Sequence, residues 1–174
     1  MEYTFTLKYR LPMQDWEPDA LAERLGAAGC DDALVGIGQP GRIALEFTRE
    51  AESAEAALLG ALSDARQAMP SARLVEAAPD FVGLTDVADV VGVSRQNVRK
   101  LMLSHATSFP SPVHEGSAAI WHLAEVLAWF RAKGGYPLPE PLGELAVVTM
   151  QVNLARQAGQ LVPRIGKEVK ALLG

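Results

Sequence analysis

The fold of the second half of this chain is decided by the stretch LTDVADVVGVSRQNVRKL, which spans residues 84–101. Thr85 is a residue type that commonly caps the N-terminus of a helix. Val87, Ala88 and Val91 follow it at the three- and four-residue spacing of an apolar helical stripe. The pattern predicts a short helix that begins at Thr85 and buries one side against a neighbouring element.

A tight turn and a second helix are predicted directly after the first. Gly92 can adopt the left-handed conformation that ends a helix, and Ser94 is a good N-cap for the next one. Val98 and Leu101 would face back to the first helix, and the small side chain of Ala88 lets the two helices approach closely. This spacing resembles the helix-turn-helix pattern.

The solvent-facing side of the second predicted helix carries no acidic residue. Its polar positions are Arg95, Gln96, Asn97, Arg99 and Lys100. Arginine suits guanine, glutamine and asparagine suit adenine, and lysine suits the phosphate backbone. A helix that merely faces solvent more often mixes Glu with Lys, because oppositely charged side chains four residues apart stabilise it. The residue types therefore favour nucleic-acid contact over a solvated helix face.

The stretch FPSPVHEGSAAIWHLAEVLAWF, residues 109–130, predicts a small hairpin followed by a helix. Pro110 and Pro112 cannot continue the preceding helix, so the chain must turn away there. Glu115 and Gly116 form a plausible hairpin tip. The residues after the tip that would return to the core or form the apolar face of the last helix are Ile120, Trp121, Leu123, Val126, Leu127 and Phe130.

Together, the two stretches resemble the winged helix-turn-helix of the MerR, AlpA and excisionase superfamily over residues 81–131. In that superfamily a Phe-Pro-x-Pro turn leads into a hairpin, the wing, and then into a Trp and an amphipathic helix. The resemblance implies binding of double-stranded DNA, with a recognition helix at residues 94–103 in the major groove. The DNA-binding residues that it implies are Ser94, Arg95, Gln96, Asn97, Arg99, Lys100 and, at the wing, His114 and Ser117.

The first 78 residues alternate strand and helix patterns. Helices are predicted from Pro18 to Ala28, with Leu21, Ala22 and Leu25 on the apolar face, and over residues 53–69, with Ser53 as the N-cap. The predicted strands cover residues 3–9, 32–37, 42–47 and 72–77. The order β-α-β-β-α-β predicts a ferredoxin-like sandwich. The expected fold class is therefore α+β: this sandwich, a winged helix-turn-helix and a C-terminal helical tail.

Charge divides the chain in the same way. The net charge is −5, but residues 1–80 carry 7 Lys/Arg against 14 Asp/Glu, whereas residues 81–135 carry 5 against 4. Phosphate contact needs only a local basic face, so the acidic total does not exclude DNA. We expect an α/β module at residues 1–78 that serves as a sensor, dimerisation or partner-binding unit, and a DNA-binding domain at residues 81–133.

Residues 142–174 are expected to form a helical tail that oligomerises. Apolar or small residues recur there at alternating spacings of three and four, as in a heptad seam. They are Leu145, Val148, Val152, Ala155, Gly159, Val162, Gly166, Val169 and Leu173. Pro163 should break or kink the tail. The alternative is a helix pair that packs on its own chain.

Composition indicates a globular protein of the cytoplasm. Apolar residues make up 49% of the chain and charged residues 21%, which is enough to bury a core. No stretch approaches the roughly 18 apolar residues of a membrane span, and residues 1–5 lack the basic start of a secretory signal. Cys30, the single cysteine, cannot form an internal disulfide, which fits a reducing compartment.

Neither a metal, a cofactor nor catalysis is expected. His105, His114 and His122 match no common zinc spacing, and exposed or phosphate-contacting histidines are the favoured interpretation. Residues 36–41 match G-x-G-x-x-G, but a strand pattern follows them, so a Gly-rich hairpin is favoured over a dinucleotide site. No nucleophile, base and orienting group can be assembled into an active site.

The favoured hypothesis is a sequence-specific double-stranded DNA-binding protein that acts as a transcriptional regulator. A helix-turn-helix that reads two half-sites generally works as a dimer, so a homodimer is expected. The N-terminal module would bind a small effector or a protein partner. Two alternatives stay open: a protein-interaction adaptor such as an antitoxin or phage-defence partner, and a DNA-bending factor of the excisionase kind.

Overall fold

Two antiparallel sheets and seven α-helices make up the chain over residues 1–173, which are the residues that the computed structural model describes. The mixed α+β class predicted from the sequence is therefore confirmed. In residues 1–173, no helix has both the length and the apolar content that crossing a membrane would require.

The first sheet has four strands in the spatial order β2-β3-β1-β4, and each neighbouring pair is antiparallel. Two helices, α1 (Pro18–Ala27) and α2 (Ala54–Ala68), follow β1 and β3 and pack on one face of the sheet. The strands are β1 (Glu2–Arg10), β2 (Ala33–Ile37), β3 (Arg42–Glu50) and β4 (Arg73–Ala78).

Alternating side chains of β1 and β3 build the core under α1 and α2. Phe5 of β1 lies opposite Phe47 of β3, and their rings stack with centroids 5.3 Å apart. Ser53 caps α2 as predicted, because its Oγ accepts a hydrogen bond from the Ala56 amide at 3.1 Å. Ala22, by contrast, was wrongly placed on the apolar face of α1: it is exposed.

The second sheet is small and contributes Val82 and Trp121 to a second hydrophobic core. Its strands are in the order β5-β7-β6, and both pairs are antiparallel. Phe109 lies between Trp121 and Trp129, with edge-on ring contacts at 6.1 and 5.0 Å. The elements of this part are β5 (Phe81–Val82), α3 (Leu84–Val91), α4 (Arg95–Ser104), β6 (His114–Glu115), β7 (Ala119–His122) and α5 (Leu123–Lys133).

The long helix α6 (Glu140–Ala158) contributes to both hydrophobic cores. Leu145 is buried in the first core, and its neighbour Ala146 is buried in the second. The Glu144 carboxylate accepts hydrogen bonds from the Tyr3 hydroxyl at 2.7 Å and from the Ala54 amide at 3.0 Å. α6 therefore ties the strand β1 and the start of α2 to the second half of the chain.

Buried polar groups fix the segment that joins the two sheets. The Asn153 side chain accepts from the Ala77 amide at 2.9 Å and donates to the Ala77 carbonyl at 2.8 Å and to Asp80 at 2.8 Å. Asp80 also contacts His122 Nδ1 at 2.7 Å, and Thr149 donates to the Pro79 carbonyl at 2.6 Å. Asn153 thus satisfies both backbone groups of Ala77 at the edge of β4.

The predicted seam of the tail is interrupted. Leu145, Val148 and Val152 pack inside the chain, against the first core. α6 ends at Ala158, and α7 (Pro163–Leu173) is a separate helix, as expected where a proline removes a backbone donor. Exposed apolar side chains remain on α7, namely Ile165, Val169, Leu172 and Leu173. Oligomerisation through the tail stays a prediction.

Candidate nucleic-acid interface

The turn between α3 and α4 follows the predicted geometry. Gly92 has φ +74°, the left-handed conformation, and its amide donates to the Ala88 carbonyl at 2.9 Å. Ser94 Oγ accepts from the Asn97 amide at 3.2 Å and caps α4. Burial of Val98 against α3 then fixes which side of α4 meets solvent.

The start of α3 differs from the prediction. Gly83, not Thr85, is the N-cap residue of α3. Asp86 takes over the capping role from inside the helix, because its carboxylate accepts a hydrogen bond from the Gly83 amide at 2.7 Å. Thr85 is exposed and already helical. Sequence patterns locate helix ends poorly, since any suitable side chain within one turn can satisfy the free amides.

The five polar residues predicted to face solvent on α4 are all exposed and lie together. They are Arg95, Gln96, Asn97, Arg99 and Lys100. Within residues 1–173, none of their side chains forms an ion pair. The first turn of α4 also lacks an acidic residue. Because the N-terminus of a helix carries partial positive charge, this end of α4 favours an anion.

The hairpin of β6 and β7 stands next to α4. His114 pairs with Ile120 and Glu115 with Ala119, which leaves residues 116–118 as the tip. The predicted tip was therefore one residue too early, since Glu115 still belongs to the strand. His114 and Ser117 are exposed as predicted, and the His114 ring lies close against the backbone of the tip.

A groove of about 520 Å³ separates α4 from the hairpin. Arg95 and Arg99, four residues apart on one side of the helix, line it from α4. Ser117 and Glu115 line it from the hairpin, so one carboxylate faces two guanidinium groups across the groove. The arrangement concentrates positive charge on the helix side and leaves space between helix and hairpin.

A second depression, of about 410 Å³, lies on α4 beside the groove and was not predicted from the sequence. It is lined by Gln96, Arg99 and Lys100, and also by Leu103 and Ser104 near the end of the helix. Leu103 is 63% exposed. It lies five residues after Val98 and two after Leu101, which is off the apolar stripe that these two residues form, so helical spacing is consistent with its exposure.

The histidine prediction holds for one residue of the three and is wrong for His122. His122 is 8% exposed and contacts the fully buried Asp80, so it belongs to the core. His105 is half-buried, and its Nε2 lies 3.1 Å from Lys133 Nζ. Only His114 is exposed at the hairpin. In residues 1–173, no group of three His, Cys, Asp or Glu side chains is placed to hold a metal ion.

Outside this interface, the first module contains a buried thiol and an arginine that binds two carboxylates. Cys30 is buried, and burial, followed by the nearby Asp64, raises the pKa of its thiol to about 11. Asp32 is held at the start of β2, because Arg49 binds it at 2.6 Å and binds Asp64 at 2.9 Å. These hydrogen bonds raise the pKa of Arg49 above its ordinary value.

In comparisons with protein-family models, with curated proteins and with solved structures, nothing matches this chain.

Proposed function

We propose that this chain is a sequence-specific double-stranded DNA-binding protein and that it acts as a transcriptional regulator. The observation that carries the proposal is the exposed face of α4. Five neighbouring polar side chains meet solvent there, three of them cationic, and within residues 1–173 none of the three forms an ion pair with a carboxylate. A structural surface helix has no need of such a face, whereas DNA recognition requires one.

In this proposal α4 is the recognition helix of a winged helix-turn-helix and enters the major groove. Arg95 and Arg99 contact guanine, and Gln96 and Asn97 contact adenine, because these side chains match the hydrogen-bonding groups of those bases. Lys100 contacts a phosphate. The left-handed turn at Gly92, the capped start of α4 and its free amides support this orientation.

The hairpin of β6 and β7 is the wing. It stands beside α4 and exposes His114 and Ser117, so it can reach the phosphates next to the groove that α4 occupies. Glu115 would repel those phosphates, which favours contact through Ser117 at the tip and through His114, whose ring lies against the tip. Wing residues position the protein on DNA, and α4 supplies the sequence preference.

The first module is a ferredoxin-like sandwich in this proposal. The strand order β2-β3-β1-β4, with α1 and α2 on one face, supports that interpretation of the β-α-β-β-α-β sequence. The module would sense an effector or bind a partner for the DNA-binding half. The regulator would act as a homodimer on two half-sites, and the exposed apolar side chains of α7 are available for a second copy.

Selection of duplexes from random double-stranded DNA by the full chain tests the function. We expect Arg95→Ala and Arg99→Ala each to lose about 1–3 kcal/mol on the selected duplex, and less on unrelated duplexes. Arg24→Ala, on the exposed side of α1, is the matched control for loss of one positive charge.

Failure to enrich any duplex, or wild-type affinity of both α4 variants, would contradict the proposal. An equal loss in the Arg24 control would show attraction by overall charge only. Recovery of a stoichiometric protein partner together with no DNA affinity would favour the adaptor function instead.

A further inference from the structure

Three arginine residues form a row across one end of the four-stranded sheet. Arg10 of β1 lies directly opposite Arg42 of β3 on one side and Arg73 of β4 on the other. All three are exposed. Directly opposite residues have Cβ atoms about 4.5–5.5 Å apart, and like charges at that spacing destabilise a sheet. The row therefore costs stability in the isolated protein.

The three side chains project from the same face of the sheet. Their strand neighbours Tyr9, Ile43 and Leu74 pack into the first core, and successive side chains of a strand point to opposite faces. The guanidinium groups of the row thus lie on the face that α1 and α2 do not cover, which we call the open face. α6 packs on the core side and at the edge of β4, and leaves the open face free.

No carboxylate compensates the row. Within residues 1–173, the side chains of Arg10, Arg42 and Arg73 form neither an ion pair nor a hydrogen bond. The next basic residue of β1, Lys8, is paired with Glu76 at 3.0 Å. Acidic residues outnumber basic ones by 14 to 7 in the first 80 residues, so composition alone does not account for three unpaired arginines side by side.

A cavity of about 450 Å³ lies against this row on the open face. Arg10 and Arg42 line one part of it, and Gly36, Ala44 and Val75 supply an apolar surface beside them. Gly36 and Ala44 are cross-strand partners, and the missing side chain of the glycine and the single methyl group of the alanine leave the space that the cavity occupies. Ligand sites are typically this large, mainly apolar, and equipped with a few convergent polar groups.

A second cavity, of about 440 Å³, adjoins the same row. It is lined by Arg10 and Arg73, with Pro12, Met13 and Gly41 around them. Arg10 thus lies between the two cavities, and its guanidinium group can donate hydrogen bonds to an anion bound in either one. The guanidinium group is a planar fork that binds carboxylate and phosphate oxygens through paired hydrogen bonds.

We propose that the open face binds a small organic anion. The arginine row holds its carboxylate or phosphate group, and Gly36, Ala44 and Val75 contact its apolar body. Binding relieves the repulsion within the row, which explains why the uncompensated charges are retained. The site is far along the chain from α4, and the proposal does not depend on DNA binding.

Calorimetric titration of the full chain at low ionic strength tests the site with three probes: phenyl phosphate, benzoate and inorganic phosphate. We expect phenyl phosphate or benzoate to bind more tightly than inorganic phosphate, and the stronger of the two identifies the preferred acid group. Arg10→Gln and Arg42→Gln should each weaken that probe about tenfold, because each removes a charge-assisted hydrogen-bond donor. Arg66→Gln, on the exposed side of α2, is the matched control and should leave binding unchanged.

Thermal unfolding without a probe gives a second measurement. Arg10→Gln should unfold at the same or a higher temperature than the wild type, since it removes like-charge contacts from exposed positions. Absence of binding by phenyl phosphate and benzoate, or equal losses in the Arg66 control, would overturn the proposal. It would also be overturned if Arg10→Gln and Arg42→Gln changed only self-association or only DNA affinity, because the row would then serve a second copy or DNA phosphates.

Discussion

Tyr9 carries a hydroxyl group into the first core, where it has no hydrogen-bond partner within residues 1–173. Burial raises the pKa of this hydroxyl above its ordinary value, since the ionised form would lose its solvation. A buried polar group without a partner lowers stability, whereas an apolar group of the same shape does not. The residue is therefore a place where the native sequence is not the most stable one.

Tyr9→Phe should raise the free energy of unfolding by about 1 kcal/mol. The substitution keeps the ring in the core and removes only the unpartnered oxygen. Urea denaturation of the two proteins measures the difference, with Tyr3→Phe as the control, because the Tyr3 hydroxyl does donate a hydrogen bond to Glu144. A lower stability of Tyr9→Phe than of the wild type would show that the hydroxyl is satisfied in solution.

The Cys30 thiol should make the free energy of unfolding depend on pH. Its thiol has an ordinary pKa of 9.0, and the fold raises this to about 11. An acid whose pKa is raised by folding is ionised first in the unfolded chain, so stability is full below pH 9 and falls as pH rises toward 11. Denaturation at a series of pH values should show this loss, and Cys30→Ala should show a smaller one. A wild-type stability that stays constant over this range would contradict the assignment.

At the scale of elements, α4 depends on its cap for stability and on its exposed face for the proposed function. Ser94 closes the N-terminus of the helix through its hydroxyl oxygen, so this predicted DNA contact is already engaged within the chain. The same residue would lie next to a phosphate in a complex. Variants at this position can therefore separate folding from binding.

Ser94→Ala should lower the free energy of unfolding by about 1 kcal/mol, because it removes the cap. Ser94→Asp should restore that stability, since aspartate also caps a helix and its charge suits the N-terminus. It should still bind DNA more weakly than the wild type, because a carboxylate would then face the phosphates. Thr85→Ala is the control and should change stability little, since Thr85 does not cap α3.

Wild-type DNA affinity in Ser94→Asp, measured by fluorescence anisotropy on the selected duplex, would place the start of α4 away from the phosphates. A large loss of stability in Thr85→Ala would contradict the cap assignment at Gly83.

At the scale of the whole molecule, a few buried polar contacts of α6 join the two halves. Asn153 satisfies both backbone groups of Ala77 and one oxygen of Asp80. The other oxygen of Asp80 contacts His122 of the second sheet. This chain of hydrogen bonds links the edge of the first sheet to the second, so loss of one member leaves several buried groups without partners.

Asn153→Leu should lower the free energy of unfolding by about 3 kcal/mol or more, because it leaves the Ala77 amide, the Ala77 carbonyl and one Asp80 oxygen buried without this hydrogen-bond partner. Gln151→Leu, an exposed position on the same helix, should stay within about 0.5 kcal/mol of the wild type. Chemical denaturation followed by tryptophan fluorescence measures both. A loss in Asn153→Leu no larger than that in the control would show that α6 joins the halves through apolar contacts alone.

Local patterns predicted much of this fold, because they report on short-range physics. The alternation of β1, the cap at Ser53 and the turn at Gly92 all depend on residues that are close in sequence. Asn153 and His122 could not be predicted in the same way. Their partners lie 76 and 42 residues away, and only the packed structure brings them together.

The candidate interface also has parts that local patterns predicted and parts that only the packed structure shows. The exposed face of α4 could be predicted from helical spacing, since burial of Val98 determines which side meets solvent. The groove between α4 and the hairpin could not, because its shape depends on how the hairpin packs beside the helix. The arginine row of the open face was also missed: Arg10, Arg42 and Arg73 become neighbours only through strand register.

The salt dependence of binding to the selected duplex tests the central claim most directly, namely that α4 contacts DNA phosphates and bases. Affinity of the wild type should fall steeply as salt rises, because each phosphate contact releases bound counterions. Lys100→Ala should reduce the slope of log affinity against log salt by about 1 and weaken all duplexes alike. A wild-type slope near zero, or an unchanged slope in Lys100→Ala, would contradict the account.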